Sequence, residues 1–235
     1  MIKYLKNIKY NNLYKKNSDS EIFQYNIYDK KYDTKIVFEK LNTVDAIFKY
    51  KDKNMLVLNF ASPRFPGGGY KLGFTTQEES LCYASSLYGE LSKSYNRKFY
   101  LSNINPFNPL FKDSAIFSND ITVFRNSTFS LQNPFTINVL TIAAPNNQSA
   151  KLNPFVSNKM VEISLSRKID IINYIINIKK PNIVILGAFG CGAFGNDPYI
   201  AAKLFKEKIS FNGTCVFAIP KENTLEKFKS VFINN

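Results

Sequence analysis

Seven residues separate three consecutive glycines, Gly67, Gly68 and Gly69, from a Gln77-Glu78-Glu79 triplet. Glycines at such a turn permit positive φ and let backbone N–H groups approach an anion with no Cβ in the way. A pair of carboxyls beside them can do general acid–base work, provided that one keeps its proton. A second glycine-rich run, Gly187-Ala188-Phe189-Gly190-Cys191-Gly192-Ala193-Phe194-Gly195-Asn196-Asp197-Pro198, offers another place where amides and a helix N-terminus can meet a phosphate. Together these residue types suit an anionic nucleotide with acid chemistry next to it.

The elements that must hold these residues flank them. Met55, Leu56, Val57 and Leu58 form a short apolar run, the pattern of a strand covered on both faces, and deliver the chain to Asn59 at its carboxyl end. Ligands of α/β sheets bind at that end. Pro66 stops regular structure before the glycines. Thr75 or Thr76 can cap a helix beginning near Gln77, with Leu81, Ala84, Tyr88 and Leu91 as its expected buried stripe. Thr76-x-x-Glu79 and Thr75-x-x-Glu78 also match the capping box, in which the glutamate only returns a hydrogen bond to the cap. That spacing alone does not choose between capping and chemistry. Ile183 to Leu186 reads as a second buried strand ahead of the second glycine loop, and Ala201, Leu204 and Phe205 mark a helix after it.

Further strands are predicted near Lys35 to Phe38, Ile121 to Phe124, Ile137 to Ile142 and Cys215 to Ile219, with helices between Lys159 and Lys179 and after Asn223. This alternation implies an α/β chain with a mixed, largely parallel central sheet and helices on both faces. Phe99 to Asp120 and Asn146 to Pro154 read as the long loops. Most phenylalanines and tyrosines belong to the core; Phe194 is singled out because an aromatic inside the second glycine loop can pack against a ribose or base. No long linker, internal repeat or low-complexity tract interrupts the 235 residues, so one domain over 1–235 is expected, with 1–40 as an N-terminal extension.

Composition narrows the chemistry. There is no histidine, which removes Ser-His-Asp and Cys-His catalysis and histidine zinc sites, and leaves acid–base work to carboxylates, lysine or tyrosine. Cys82, Cys191 and Cys215 are odd in number, lack metal spacing and sit in or beside apolar runs, so they read as reduced thiols of an intracellular, cytoplasmic protein. Apolar stretches fall short of the ~20 residues that span a bilayer. Lys3, Lys6, Lys9, Lys15 and Lys16 precede the first acid, Asp19, but no apolar core or cleavage site of a secretory signal accompanies them, and the lack of arginine argues against a transit peptide. The net charge of +13 favours attraction of polyanions, nucleic acid included, although lysines this scattered also fit a simple bias towards Asn, Lys and Ile.

Gly190-x-Gly192-x-x-Gly195 between a strand and a helix formally matches the dinucleotide fingerprint. A Rossmann domain needs an acidic residue at the end of the next strand, and Cys215 to Pro220 carries none; too little chain follows for two mononucleotide halves. The whole pattern instead resembles the poly(ADP-ribose) glycohydrolases of the macrodomain superfamily, in the compact form found in bacteria and some other microbes. The resembling segments are Asn59 to Ser62, Pro66 to Gly69, Gln77 to Cys82, Thr141 to Asn146 and Gly187 to Pro198, and they span roughly residues 40 to 230.

The resemblance implies a macrodomain-like three-layer fold and hydrolysis of the ribose–ribose O-glycosidic bond of poly(ADP-ribose), releasing ADP-ribose. Poly(ADP-ribose) or ADP-ribosylated protein would be the substrate, with no cofactor or metal. Glu79 would be the catalytic carboxyl that protonates the leaving oxygen and then activates water, and Glu78 would hold a ribose hydroxyl. Acting as an acid near neutral pH requires a carboxyl that holds its proton, which burial and neighbouring negative charge favour and the helix N-terminus opposes. Asn59 and Gln77 would contact substrate; Gly67 to Gly69 and the loop of Gly187, Ala188, Phe189, Gly190, Cys191 and Gly192 would hold the diphosphate, with Phe194 beside it. A module that binds ADP-ribose without cleaving it, and a hydrolase of single ADP-ribose marks, are the alternatives.

Overall fold

The apolar runs become the middle of a seven-stranded sheet whose spatial order is β1-β4-β5-β3-β6-β7-β2. The computed structural model describes residues 3–5, 32–51 and 54–233, so most of the expected N-terminal extension, including Lys6, Lys9, Lys15, Lys16 and Asp19, lies outside the described residues. The strands are β1 (Lys3–Leu5), β2 (Lys35–Glu39), β3 (Met55–Phe60), β4 (Ala115–Arg125), β5 (Leu131–Ile142), β6 (Ile183–Leu186) and β7 (Thr214–Ala218). From β5 across to β2 every pairing is parallel, while β4 pairs antiparallel with β5 and β1 with β4.

Alternation along β3 shows why the runs are apolar throughout. Leu56 and Leu58 join one core cluster with Leu165, Ile169, Ile172, Phe205 and Phe228, which come from α6 (Asn158–Lys179), α7 (Pro198–Lys208) and α8 (Glu222–Ile233). Met55 and Val57 join the opposite cluster with Val44 and Ile47 of α1 (Thr43–Lys49), Leu81 of α2 (Gln77–Ala84) and Leu87 and Leu91 of α3 (Leu87–Leu91). Helices thus cover both faces of a strand that needs apolar residues on each. This is the three-layer α/β/α architecture.

Three expectations are corrected. The helix after Gln77 does not run unbroken to Leu91: Ser85 is extended and bridges to Val123 of β4, and Ser86 N–H bonds to Thr122 O, so the sheet edge draws the chain out of the helix before α3 resumes it. The stretch from Phe99 to Asp120 is only partly loop. It holds the end of α4 (Arg97–Leu101) and the first half of β4, where Ala115, Ile116 and Phe117 pair with Ile142, Thr141 and Leu140. The turn after Asn146 winds into α5 (Asn147–Lys151), capped by the Asn146 side chain on Ser149 N–H. Long-range pairing and capping override what local composition suggests. Among the described residues no helix is long and apolar enough to cross a membrane.

Candidate active site

Strands β5, β3 and β6 lie side by side and parallel, so the chain leaves all three at one edge of the sheet. Asn59, Thr141 and the second glycine loop are therefore neighbours despite their separation in sequence. The ring of Phe60, at the end of β3, lies 5.7 Å from that of Phe189, which is fully buried in the second loop.

Gln77 fastens α2 to this edge. Pairing of β3 with β6 stops at Val57, and beyond it the Gln77 carboxamide accepts from Phe60 N–H at 2.8 Å and donates to Leu58 O at 2.8 Å, as a strand would. Its amide also donates to Thr43 at the start of α1. These bonds to the protein account for a residue expected to contact substrate.

The first turn of α2 then carries both glutamates inward, Glu78 2% and Glu79 4% exposed. Glu78 accepts from Ser62 N–H at 2.6 Å, from Asn59 Nδ2 at 3.1 Å and from the Gly67 N–H. Glu79 accepts from Gly69 N–H at 2.7 Å and from the Thr76 hydroxyl. Thr76 is the N-cap, yet its hydroxyl donates to the Glu79 carboxylate and accepts no backbone N–H, so the reciprocal capping box is not formed. Both carboxyls converge on Gly68. A Cβ there would collide with Glu79 Oε1 and lie 3.1 Å from Glu78 Oε2, and φ is +59°, so the position excludes a side chain on two grounds.

Burial pushes Glu78 up to about 8; bonds from Ser62, Asn59 and Gly67 resist the rise and the Glu79 charge adds to it. A carboxyl of the pair thus keeps a proton at neutral pH. The thiols are inert by the same physics, since burial raises Cys82 and Cys215 strongly and Cys191 to about 12.

Two expected roles look different in this geometry. The N–H groups of the first glycine loop were expected on a diphosphate, but Gly67 bonds to Glu78, Gly68 to Phe65 O and Gly69 to Glu79. Asn59, expected on a ribose, is fully buried, and its amide joins Glu78 to the Thr141 hydroxyl. Ser62 and Thr141 are the partners that sequence reasoning did not single out, whereas Thr76 was named for its spacing to Glu79. Neither Ser62 nor Thr141 carried a local signal for these bonds, which join residues 16 and 82 apart.

The second loop has the opposite character. Gly190 has φ +75°, and a Cβ there would lie 2.5 Å from the amide of Asn196, which itself holds the loop through Pro145 O and Gly190 O. Asn147 Nδ2 bonds to Gly195 O and Gln148 N–H to Phe194 O, tying the loop to the chain after β5. The N–H groups of Gly190, Gly192, Ala193 and Phe194 have no hydrogen-bond partner among the described residues, and Gly192 and Ala193 are exposed. Such a set of unpartnered amides in a glycine loop suits an anion. Phe194 is half-buried, its ring 6.0 Å from that of Phe111. Among the described residues no group of three or more Cys, Asp or Glu could hold a metal ion.

Known proteins share this fold. A crystal structure of poly(ADP-ribose) glycohydrolase from Deinococcus radiodurans in complex with ADP-ribose superposes with a TM-score of 0.79 at 27% identity, over 86% of this chain and 85% of that one. The enzyme from Thermomonospora curvata does so with a TM-score of 0.76 at 28% identity, over 85% and 77%, and its complex with the inhibitor ADP-HPD with 0.75 at 28%, over 84% and 79%. A search of curated protein sequences finds no significant match. The family model of the microbial-type PARG catalytic domain matches residues 3–126, more than half of the chain and the part that holds Asn59, the first glycine loop and both glutamates. The chain belongs to the microbial-type poly(ADP-ribose) glycohydrolase family, a family of glycosidases.

Proposed function

We propose that Glu79 is the general acid with which this glycosidase hydrolyses the ribose–ribose O-glycosidic bonds of poly(ADP-ribose) and releases ADP-ribose. The observation that carries the reading is the convergence of two buried carboxyls on Gly68 at the same sheet edge as a loop of unspent amides. The diphosphate would lie against the N–H groups of Gly190, Gly192, Ala193 and Phe194, with the next ribose bond reaching towards the glutamates. Glu79 gives its proton to the leaving ribose oxygen as the glycosidic C–O bond breaks, and the sugar passes through an oxocarbenium-like state. Water then adds to the anomeric carbon and returns a proton to Glu79.

Glu78, held by bonds from Ser62 and Asn59, orients a ribose hydroxyl, and the single proton that burial keeps on the pair is the one passed on through Glu79. The first glycine loop serves the glutamates, and Asn59 serves Glu78. The +13 charge of the chain helps to gather a polymer bearing two phosphates per unit.

The test is to incubate wild type and Glu79→Gln with poly(ADP-ribose) and follow released ADP-ribose by chromatography, with protein carrying single ADP-ribose units alongside. Wild type should release ADP-ribose from the polymer, and the variant should lose turnover by about 10²–10⁴-fold, the range for one general acid. Survival of polymer and single marks with ADP-ribose still bound would make the protein a reader; release from single marks alone would make it a mono-ADP-ribosyl hydrolase.

A further inference from the structure

Behind the first glycine loop lies a pocket of about 330 Å³ with no acidic lining. Its walls come from two places: Arg64, Phe65 and Pro66, which lead into the glycines, and the stretch from the end of α3 through α4 to Ile104. Three large apolar side chains on its rim face water, Phe65 66%, Leu101 51% and Ile104 66% exposed. Exposed apolar surface gathered around one concavity marks a binding site more often than chance. Lys93 is paired with Glu90 at 2.8 Å, whereas Arg64 and Arg97 make no ion pair among the described residues, and Arg64 Nε is buried without a hydrogen-bond partner. Two uncompensated guanidinium groups beside an aromatic and aliphatic wall suit an anion with a flat apolar body.

From this we infer that the pocket is a second nucleotide site, separate from the catalytic cleft, taking a phosphate on Arg64 and Arg97 and a base against Phe65, Leu101 and Ile104. Its occupant would grip the connection that carries Ser62, whose N–H holds Glu78. Tyr100 in the same wall is 6% exposed, its hydroxyl has no partner among the described residues, and it stands within electrostatic reach of Glu78. Occupancy is therefore felt at the catalytic pair. Two sources supply the same chemistry, a further unit of the polymer whose end is being cleaved or a free nucleotide; the first rests on the function proposed above.

AMP titrated calorimetrically into the full chain, with and without saturating ADP-ribose, tests the site without reference to turnover. AMP should bind while ADP-ribose occupies the cleft, and both Arg97→Glu and Ile104→Asp, at exposed positions that leave the core intact, should weaken AMP about ten-fold or more, the equivalent of one charge-assisted hydrogen bond. Full displacement of AMP by ADP-ribose, or AMP binding unchanged in both variants, overturns the inference. Failure to bind ADP-ribose at all would count against the proposed function and leave the AMP result standing. Arg97→Glu then separates the sources. A KM raised for long polymer but not for a two-unit substrate assigns the pocket to the chain, and a wild-type rate altered by AMP at every chain length assigns it to a free nucleotide.

Discussion

Both glycine loops leave the carboxyl end of a buried parallel strand, β3 for Gly67 to Gly69 and β6 for Gly187 to Gly195, yet their backbone N–H groups end in opposite use. In the first loop two of the three N–H groups bond to glutamate side chains and the third to Phe65 O. In the second, four N–H groups stay without partners among the described residues while Asn196, Asn147 and Gln148 fix the loop from behind. One glycine loop spends its N–H groups on the fold and on the glutamates, and the other leaves them unspent among the described residues. A glycine cluster therefore states only that the backbone must come close to something; its neighbours decide whether that is a side chain or a phosphate.

If the first loop exists to hold the carboxyls, Gly68→Ala should do the most damage. The new methyl would meet Glu79 and Glu78 at a backbone of positive φ, which costs about 1–2 kcal/mol before any clash is counted. A displaced acid should lower kcat by about 10²-fold or more with a smaller change in KM. A variant that keeps wild-type kcat would show that the carboxyls do not act from where they lie.

Position 192 probes the other half of the comparison. Nothing lies within 4 Å of a Cβ built on Gly192, so substitution there adds charge without strain. An aspartate a few ångströms from a diphosphate costs about 1–4 kcal/mol at the effective dielectric of a surface site. Gly192→Asp should thus raise KM by about ten-fold or more, Gly192→Lys should lower it or leave it alone, and kcat should hold in both. Equal effects of the two charges on KM would remove the diphosphate from this loop.

What could be read in advance follows sequence distance. Strand β3, the two loops and the Gln77-Glu78-Glu79 turn are local patterns, each carried by fewer than thirty residues, and they lie where the apolar runs and caps place them. The bond from Asn59 to Thr141 joins residues 82 apart, and no local pattern announces it. Likewise Ser85 leaves its helix because Val123, far along the chain, offers a bridge, and Ala115 to Phe117 become strand because β5 pairs with them. Gln77 was legible as part of the triplet but not as the group that completes the β3 edge, since that depends on where β6 stops. Local chemistry marks which residues matter, and long-range pairing sets what each of them touches.

The smallest effect separates the two carboxyls beside the first loop. Glu78 titrates at about 8 in the folded protein, above the usual range of an unfolded glutamate, because burial disfavours its charge. The folded state therefore binds the extra proton, and the stability this adds is complete below the unfolded value and is lost as pH rises through about 8. One such proton contributes a slope of at most about 1.4 kcal/mol per pH unit. Denaturant unfolding followed from pH 5 to 9 should show wild type losing stability across this window, and Glu78→Gln, which keeps the shape and cannot titrate, losing less. Identical slopes would mean that Glu78 does not hold the proton, and its burial would then not be what keeps the pair protonated at neutral pH.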